Sequence, residues 1–271
     1  MTGRFRKLEF AQPRADLAPD LLGATQPLAG TPVRDADHFE RAALEAFQAG
    51  EFEQALRLYT RCLREDRARI AAWAGQVRML VELGEHAEAR MWADKALETF
   101  RGNGELLAAK AQACLREGDT RTAVGASDLA IRSPGASPWR WIARGEVMLV
   151  KNRALAPDCF DRALAEPSAG WFERVAIARS HLFHARAAAG LRYLDQALAM
   201  QPSQPFIWLT LARCQEALGW HDRALESYAR CLQLAPNHAA AKAEVETLTR
   251  RGGVSKLVRA LGGRFTRVIR R

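Results

Sequence analysis

Small side chains recur along this sequence at a nearly constant interval. Six of them are separated by 34, 34, 33, 34 and 34 residues, and a second set of six follows seven residues after the first. The first set is Ala55, Ala89, Ala123, Ala156, Gly190 and Ala224, and the second is Cys62, Ala96, Ala130, Ala163, Ala197 and Cys231. Because seven residues make about two turns of an α-helix, the two sets share one helix face. A period of this length predicts a stack of similar structural units.

The residues around the two sets predict a pair of helices in each unit. The position midway between the small residues is filled in the six copies by Tyr59, Ala93, Ser127, Phe160, Leu194 and Tyr228. A second apolar-periodic segment precedes each of these helices and often ends near a glycine, at Gly50, Gly84, Gly118 and Gly219. Glycine permits the backbone conformation that a tight turn requires. Each unit is therefore predicted to be a helix, a tight turn and a second helix.

The last copy, from Trp208 to Pro236, shows the most complete pattern. It resembles the signature of the tetratricopeptide repeat family at Trp208, Leu211, Ala212, Gly219, Ala224, Tyr228, Cys231 and Pro236. The second copy repeats the signature with Trp73, Leu80, Gly84, Ala89 and Ala96. The resemblance covers about residues 36–238 and implies an all-α fold, a right-handed solenoid of about six helix-turn-helix repeats. Copy four departs from the pattern by lacking one residue before Ala156, and copy five lacks the turn glycine.

Three further segments flank the repeats. Residues 239–251 are predicted to be a capping helix for the last repeat, with Ala239, Ala240, Ala243 and Leu248 spaced to pack against it. Residues 1–35 contain prolines and glycines that forbid a long helix and predict an extended arm. The arm has the composition of a disordered segment, and docking of Leu17, Leu21 and Leu22 on the repeats is the alternative. Residues 252–271 form a basic tail.

The sequence lacks the usual motifs for catalysis and for metal binding. It contains no nucleophile elbow, no phosphate-binding P-loop and no His-Glu-x-x-His motif. His181 and His184 stand one helical turn apart, but no third ligand lies at a suitable spacing, so no metal site is predicted. Five cysteines without a C-x-x-C pair indicate a reducing compartment such as the cytoplasm. We therefore expect a protein that is not an enzyme and carries no cofactor.

The family resemblance implies where a protein partner would bind. In that family the first helices of successive repeats line a concave groove, which receives an extended or helical segment of another protein. Transferring this phase to the present chain gives the groove residues Arg78, Gln112, Trp139, Glu146, Phe172, Arg179, Phe206 and Arg213. Apolar side chains with spaced arginines suit a partner that has hydrophobic anchors and acidic flanks. The alternative is that the arginines only keep this helix face soluble.

Positive charge is concentrated in the last twenty-two residues. The chain has 40 Lys and Arg against 31 Asp and Glu. Eight of these cations lie in the tail region, at Arg250, Arg251, Lys256, Arg259, Arg264, Arg267, Arg270 and Arg271. As a helix, the segment would place its Val, Leu, Phe and Ile side chains in one arc, with cations outside it. This pattern predicts binding to an anionic membrane or an acidic protein groove, and an additional helix packed on the repeats is the alternative.

Two functions remain open on this sequence. The first is a non-enzymatic adaptor or scaffold that holds a protein partner in the concave groove, in the cytoplasm or at the membrane periphery. The alternative is a binding module for nucleic acid or an anionic membrane, driven by the basic tail. Nucleic acid is the less favoured ligand because Phe265 is the only aromatic residue in the tail. No run of about 18 apolar residues occurs, so no membrane-spanning segment is expected.

Overall fold

The computed structural model of the protein describes residues 35–250, and this part of the chain is all-α. It contains thirteen α-helices, one short 3-10 turn at Arg153–Leu155 and no β-strand. The helices are α1 Ala36–Gln48, α2 Phe52–Glu65, α3 Ile70–Glu82, α4 His86–Thr99, α5 Gly104–Glu117, α6 Thr120–Arg132, α7 Pro138–Lys151, α8 Ala156–Ala165, α9 Trp171–Phe183, α10 Ala187–Met200, α11 Pro205–Ala217, α12 His221–Leu234 and α13 Ala239–Arg250. Odd and even helices from α1 to α12 form the six predicted pairs.

The two sets of small residues occupy the close contacts between helices, as the spacing predicts. Every member of both sets is buried, from Ala55 in α2 to Cys231 in α12. Small side chains at these places let a neighbouring helix approach, and the larger residues between them fill the remaining space. Tyr59, Phe160 and Tyr228 are accordingly buried in the same core. The repeat period thus corresponds directly to the packing of the stack.

Local signals explain where several helices begin. The side chain of Asn103 accepts hydrogen bonds from the backbone N–H groups of Glu105 and Leu106 at the start of α5. Asp119 accepts one from the N–H of Thr122 at the start of α6. Such caps satisfy N–H groups that have no partner within the first turn of a helix.

Copies four and five keep the helix pair by different local adjustments. In copy four, a 3-10 turn before Ala156 compensates for the missing residue, and α8 has only ten residues. In copy five, Ala185 stands 34 residues before Gly219 and adopts the same left-handed conformation, with φ +55°. The backbone N–H groups of Ala185 and Arg186 donate to the carbonyl oxygens of Leu182 and His181, and these hydrogen bonds hold the turn although the left-handed conformation is unfavourable for a residue with a Cβ atom. Copy five therefore keeps both of its helices, α9 and α10, although the turn between them holds a strained alanine in place of glycine.

Replacing Ala185 with glycine should stabilise the protein. We expect a gain of about 1 kcal/mol, because the left-handed conformation of alanine costs about that amount. In a protein of this size the gain corresponds to a rise in Tm of about 2–4 °C, measurable by circular dichroism. The matched control is Gly84→Ala, at φ +83° with open space around the added methyl, which should lower Tm. An unchanged or lower Tm for Ala185→Gly would show that the turn is not strained.

The packing residues predicted for α13 were partly wrong. Its buried side chains are Ala241, Val245 and Leu248, whereas Ala239 and Ala243 are exposed. The observed spacing of four and then three residues places the two largest apolar side chains of the helix on its buried face. The helix packs on α12, and burial of Val245 decides its rotation.

The stack curves so strongly that its first and last repeats touch. The ring of Phe52, at the start of α2, lies 5.8 Å from that of Phe206 in α11. His238 Nε2, in the loop before α13, lies 3.3 Å from the carbonyl oxygen of Ala49. At Gly50 an added Cβ would lie only 2.5 Å from the Phe206 ring. These contacts close the described part of the solenoid on itself.

Candidate interaction groove

Five aromatic side chains meet on the inner side of the curved stack. Phe47 stacks on Trp139 with ring centres 5.8 Å apart and meets Phe172 edge-on at 4.7 Å. Phe206 lies 6.3 Å from Phe172 and also contacts Phe52. The cluster therefore joins helices from repeats one, four, five and six. We call it the aromatic layer.

Arginines cover this aromatic layer. The guanidinium carbon of Arg78 lies 4.5 Å from the Trp139 ring centre, and that of Arg179 lies 4.7 Å from the Phe52 ring centre. Such cation–π contacts are favourable when the cation is partly desolvated. Arg78 also donates to Glu105 at 2.6 Å, so the same side chain binds a ring and a carboxylate.

A charged network lies beside the aromatic layer and is centred on Glu146. This carboxylate is fully buried and accepts hydrogen bonds from Gln112 at 2.8 Å, Arg116 at 2.8 Å and Ser180 at 2.9 Å. His184 Nε2 lies 3.3 Å from the same carboxylate. Partners from α5 and α9 thus converge on one side chain of α7.

A second carboxylate extends this network across the groove. Glu82 of α3 is paired with Arg179 of α9, 97 residues away, and lies 3.8 Å from Arg116. Two glutamates and two arginines therefore alternate in a nearly dry space. Phe183 covers the network from outside, with its ring centre 4.4 Å from the Arg116 guanidinium. We call these side chains the charged layer.

The arginines of the charged layer determine the protonation of its carboxylates. Burial alone raises the pKa of Glu146, but the charge of Arg116 and the hydrogen bonds to the carboxylate outweigh burial. The pKa of Glu146 therefore lies well below its usual range. The pKa of Glu82 is lowered in the same way, because Arg179 and Arg116 outweigh burial. Both side chains are ionised at neutral pH, and their charges are balanced within the layer.

The structure brings most of the predicted groove residues together, but it also pairs them with one another. Phe172 and Phe206 are buried, and Gln112 and Glu146 are bonded to each other. Arg179, which was predicted to line an accessible groove, is not on an open face, because its side chain is only 14% exposed and is held by Glu82. The curvature of the stack, which carries α9 to α3, is the physical reason. That these residues bind a partner stays a prediction.

Two of the predicted groove residues remain within reach of a partner. Arg213 pairs with Glu244 of α13 at 3.3 Å and keeps 27% of its side chain exposed. Trp139 is half-buried, between Arg78 and Phe47. They mark the accessible part of the concave face.

Glu82 and Arg116 were not predicted from the sequence. They lie four residues after the groove positions Arg78 and Gln112, one helical turn further along the same face. Opposite charges one turn beyond the groove positions were the available signal. The spacing does not reveal that α3 and α9 meet, so the ion pair between Glu82 and Arg179 was not predictable from it.

The histidine and cysteine side chains lie in structural environments. His181 packs between Phe160 and Tyr193, and burial lowers its pKa to about 4. All five cysteines are buried, and burial raises the pKa of the Cys62 thiol to about 11. Among residues 35–250, no group of three potential ligands could hold a metal ion. Within this range no helix has the length and apolar surface that a bilayer span requires.

The two terminal predictions lie mostly outside the described residues. The arm with Leu17, Leu21 and Leu22 precedes residue 35, and every tail cation except Arg250 follows the described part. Arg250 ends α13 and lies 3.5 Å from Glu246.

Comparisons with known proteins point to one kind of repeat. Two tetratricopeptide repeat profiles match the chain, one over residues 46–113 and the other over residues 205–238. A tetratricopeptide repeat protein from Parabacteroides merdae has a similar fold at 13% identity, with a TM-score of 0.50, over 81% of this chain and 86% of that one.

Two further solved structures match at lower TM-scores. The protein YrrB, described as having an unusual peptide-binding site, matches at 15% identity and TM-score 0.39, over 69% of this chain and 97% of its own. The Thermus thermophilus protein TTC0263 matches at 17% identity and TM-score 0.42, over 79% of this chain and 98% of its own. No curated protein matches the chain.

Proposed function

Because this chain is a tetratricopeptide repeat protein, we propose that it is a non-enzymatic adaptor that binds a segment of a protein partner and helps to assemble a complex. The observation that carries the proposal is the continuous stack of six helix pairs, a fold that presents extended surfaces for other proteins. The five buried cysteines fit a reducing compartment, so the cytoplasm is part of the proposal.

The proposal assigns different roles to the two groups of concave residues. The aromatic and charged layers hold the curvature of the stack, because their members bind one another across repeats. Trp139 and Arg213 are the proposed contacts for a partner, since they retain exposed surface. Arg213 suits an acidic residue of the partner segment, and Trp139 suits an apolar one.

The basic tail is the second component of the proposed function. Its support is the sequence alone: eight cations and no Asp or Glu in residues 250–271. We propose that this segment brings the adaptor to an anionic membrane surface. Each cation near such a surface contributes about 1 kcal/mol, so the segment has sufficient charge for reversible attachment.

Two chains test the two components of the proposal, by affinity purification for the partner and by vesicle co-sedimentation for the basic tail. The full chain and a chain ending at Arg250 should recover the same protein partner from cells that express it naturally. Only the full chain should co-sediment with vesicles containing anionic lipid, and this binding should weaken as salt rises. Neutral vesicles and duplex DNA are the matched ligand controls. Failure of both chains to recover any partner would contradict the adaptor, whereas equal vesicle binding would remove the tail from the proposal.

A further inference from the structure

A shallow groove of about 370 Å³ lies in repeat three, where α4 and α6 end and α5 begins. Leu97, Leu107 and Leu129 form its apolar lining, and Arg101 and Arg132 stand at its rim. Leu107 belongs to a small apolar cluster, and Leu97 packs against both this cluster and the main core. This groove lies apart from the aromatic and charged layers, and we call it the leucine groove.

The exposed leucine of this groove occupies a repeat position that is polar in every other copy. Leu129 directly precedes one of the regularly spaced small residues and is 55% exposed. At the same place the other five copies carry Arg61, Lys95, Arg162, Gln196 and Arg230. Five polar residues show that the position normally faces water. Together with Leu97 and Leu107 it makes a contiguous apolar patch with a polar rim, which is the kind of surface that contacts another molecule.

A second replacement opens the space beside Leu129. Leu107 occupies a position that is aromatic in four other copies, at Phe39, Trp73, Trp141 and Trp208. In copy four, the residues equivalent to Leu129 and Leu107 are Arg162 and Trp141. The Arg162 guanidinium lies 4.8 Å from the Trp141 ring centre, so this pair covers the corresponding part of the surface. In copy three, the smaller Leu107 leaves a hollow. The leucine groove therefore forms because copy three carries leucine at two repeat positions, one of which is polar and the other mostly aromatic in the other copies.

The charge at the rim is positive and is not neutralised by the described part of the chain. Arg101 and Arg132 are both exposed, and neither forms an ion pair with any of residues 35–250. The acidic residues that precede these two arginines by three or four positions lie in other environments. Asp128 pairs with Arg144 at 2.7 Å, and Glu98 lines a different hollow of α4. The rim thus offers two guanidinium groups to an incoming carboxylate.

We propose that the leucine groove is a docking site for an acidic partner segment that carries leucine-sized anchors. This proposal rests on the adaptor function and names a second contact surface for it. Apolar anchors would cover Leu97 and Leu129 beside the buried Leu107, and carboxylates on either side would accept hydrogen bonds from Arg101 and Arg132. A nucleic acid fits less well, because the groove has no aromatic ring on which a base could stack.

A labelled acidic peptide of sequence EDLLEDL provides a defined probe. We expect the full chain to bind it saturably below about 1 mM, as followed by fluorescence anisotropy. Leu129→Lys should weaken binding at least about tenfold, because a lysine side chain removes the apolar contact. This change should not disturb the fold, since Lys95 occupies the equivalent position in copy two. The double variant Arg101→Glu, Arg132→Glu should abolish binding.

Matched controls separate the leucine groove from general surface effects. Met91→Lys changes an exposed apolar residue outside the groove, in α4, and should leave binding unchanged. The peptides EDAAEDA and KKLLKKL should bind at least about tenfold more weakly, because each lacks one half of the proposed chemistry. Absence of saturable binding, or equal binding by wild type and Leu129→Lys, would overturn the proposal.

Two other occupants of the leucine groove can be recognised, one by removing residues 1–34 and the other by Leu129→Lys. Peptide binding that appears only after removal of residues 1–34 would assign the groove to the N-terminal segment. Self-association that Leu129→Lys abolishes would assign it to a second copy of the chain. Either result would overturn the proposed partner. Recovery of the natural partner with undiminished affinity by Leu129→Lys would refute the docking site and leave the adaptor function intact.

Discussion

Replacing Glu146 with alanine is expected to lower the free energy of unfolding by about 3–5 kcal/mol. The change removes a fully buried carboxylate that accepts hydrogen bonds from Gln112, Arg116 and Ser180. Arg116 would be left in a nearly dry space, with Glu82 at 3.8 Å as its remaining acidic neighbour. In a protein of this size the loss corresponds to a fall in Tm of about 6–20 °C, measured by circular dichroism.

Two control variants distinguish the buried charge from the loss of any glutamate. Glu98→Ala, at an exposed position of α4, should leave Tm unchanged. The double variant Arg116→Met, Glu146→Leu should recover much of the lost stability, because it removes both charges and fills the space with apolar atoms. A Tm for Glu146→Ala close to that of wild type would mean that water reaches Arg116 and that the charged layer is not dry.

The same carboxylate should make stability depend on acid pH. Because the pKa of Glu146 is lower in the folded than in the unfolded state, its contribution is fully present above the unfolded pKa of about 4.3. The contribution is lost as the pH falls toward the folded pKa. Urea denaturation of wild type below pH 4 should therefore show a steeper loss of stability than that of Glu146→Ala.

Replacing Gly50 with alanine should open the contact between the first and last repeats. Gly50 has φ +79°, and its new methyl group would lie 2.5 Å from the Phe206 ring. We expect a cost of about 1–2 kcal/mol for the strained backbone and about 1–3 kcal/mol more for the overpacked ring. Displacement of Phe206 should also separate the repeats, so the radius of gyration from small-angle X-ray scattering should increase.

Gly84→Ala is the matched control for this closure. Gly84 has nearly the same backbone conformation, φ +83°, but nothing lies within 4 Å of the added methyl. It should therefore show the backbone cost without the change in radius of gyration. Equal effects of the two substitutions on Tm and on the radius would mean that the closure contributes nothing to the folded shape.

The helix pairs and their packing phase could be predicted from residues within single copies. Both sets of small residues are buried because their seven-residue spacing places them on one helix face. Even copy five, without its turn glycine, retains the helix pair by holding Ala185 in the left-handed conformation. Prediction was weaker at α13, where Ala239 and Ala243 proved exposed. Alternative apolar faces of an alanine-rich helix differ little in hydrophobicity.

The sequence by itself determined the repeat unit, the six helix pairs and the face that the second helix of each pair buries, because those features depend on contacts between residues that are close along the chain. It did not determine the curvature of the stack. The tertiary structure alone brought Glu82 to Arg179, Phe52 to Phe206 and Ala49 to His238. The contact between the first and last repeats results from the sum of small rotations between successive repeats. Each rotation depends on side-chain packing at an interface rather than on any periodic pattern.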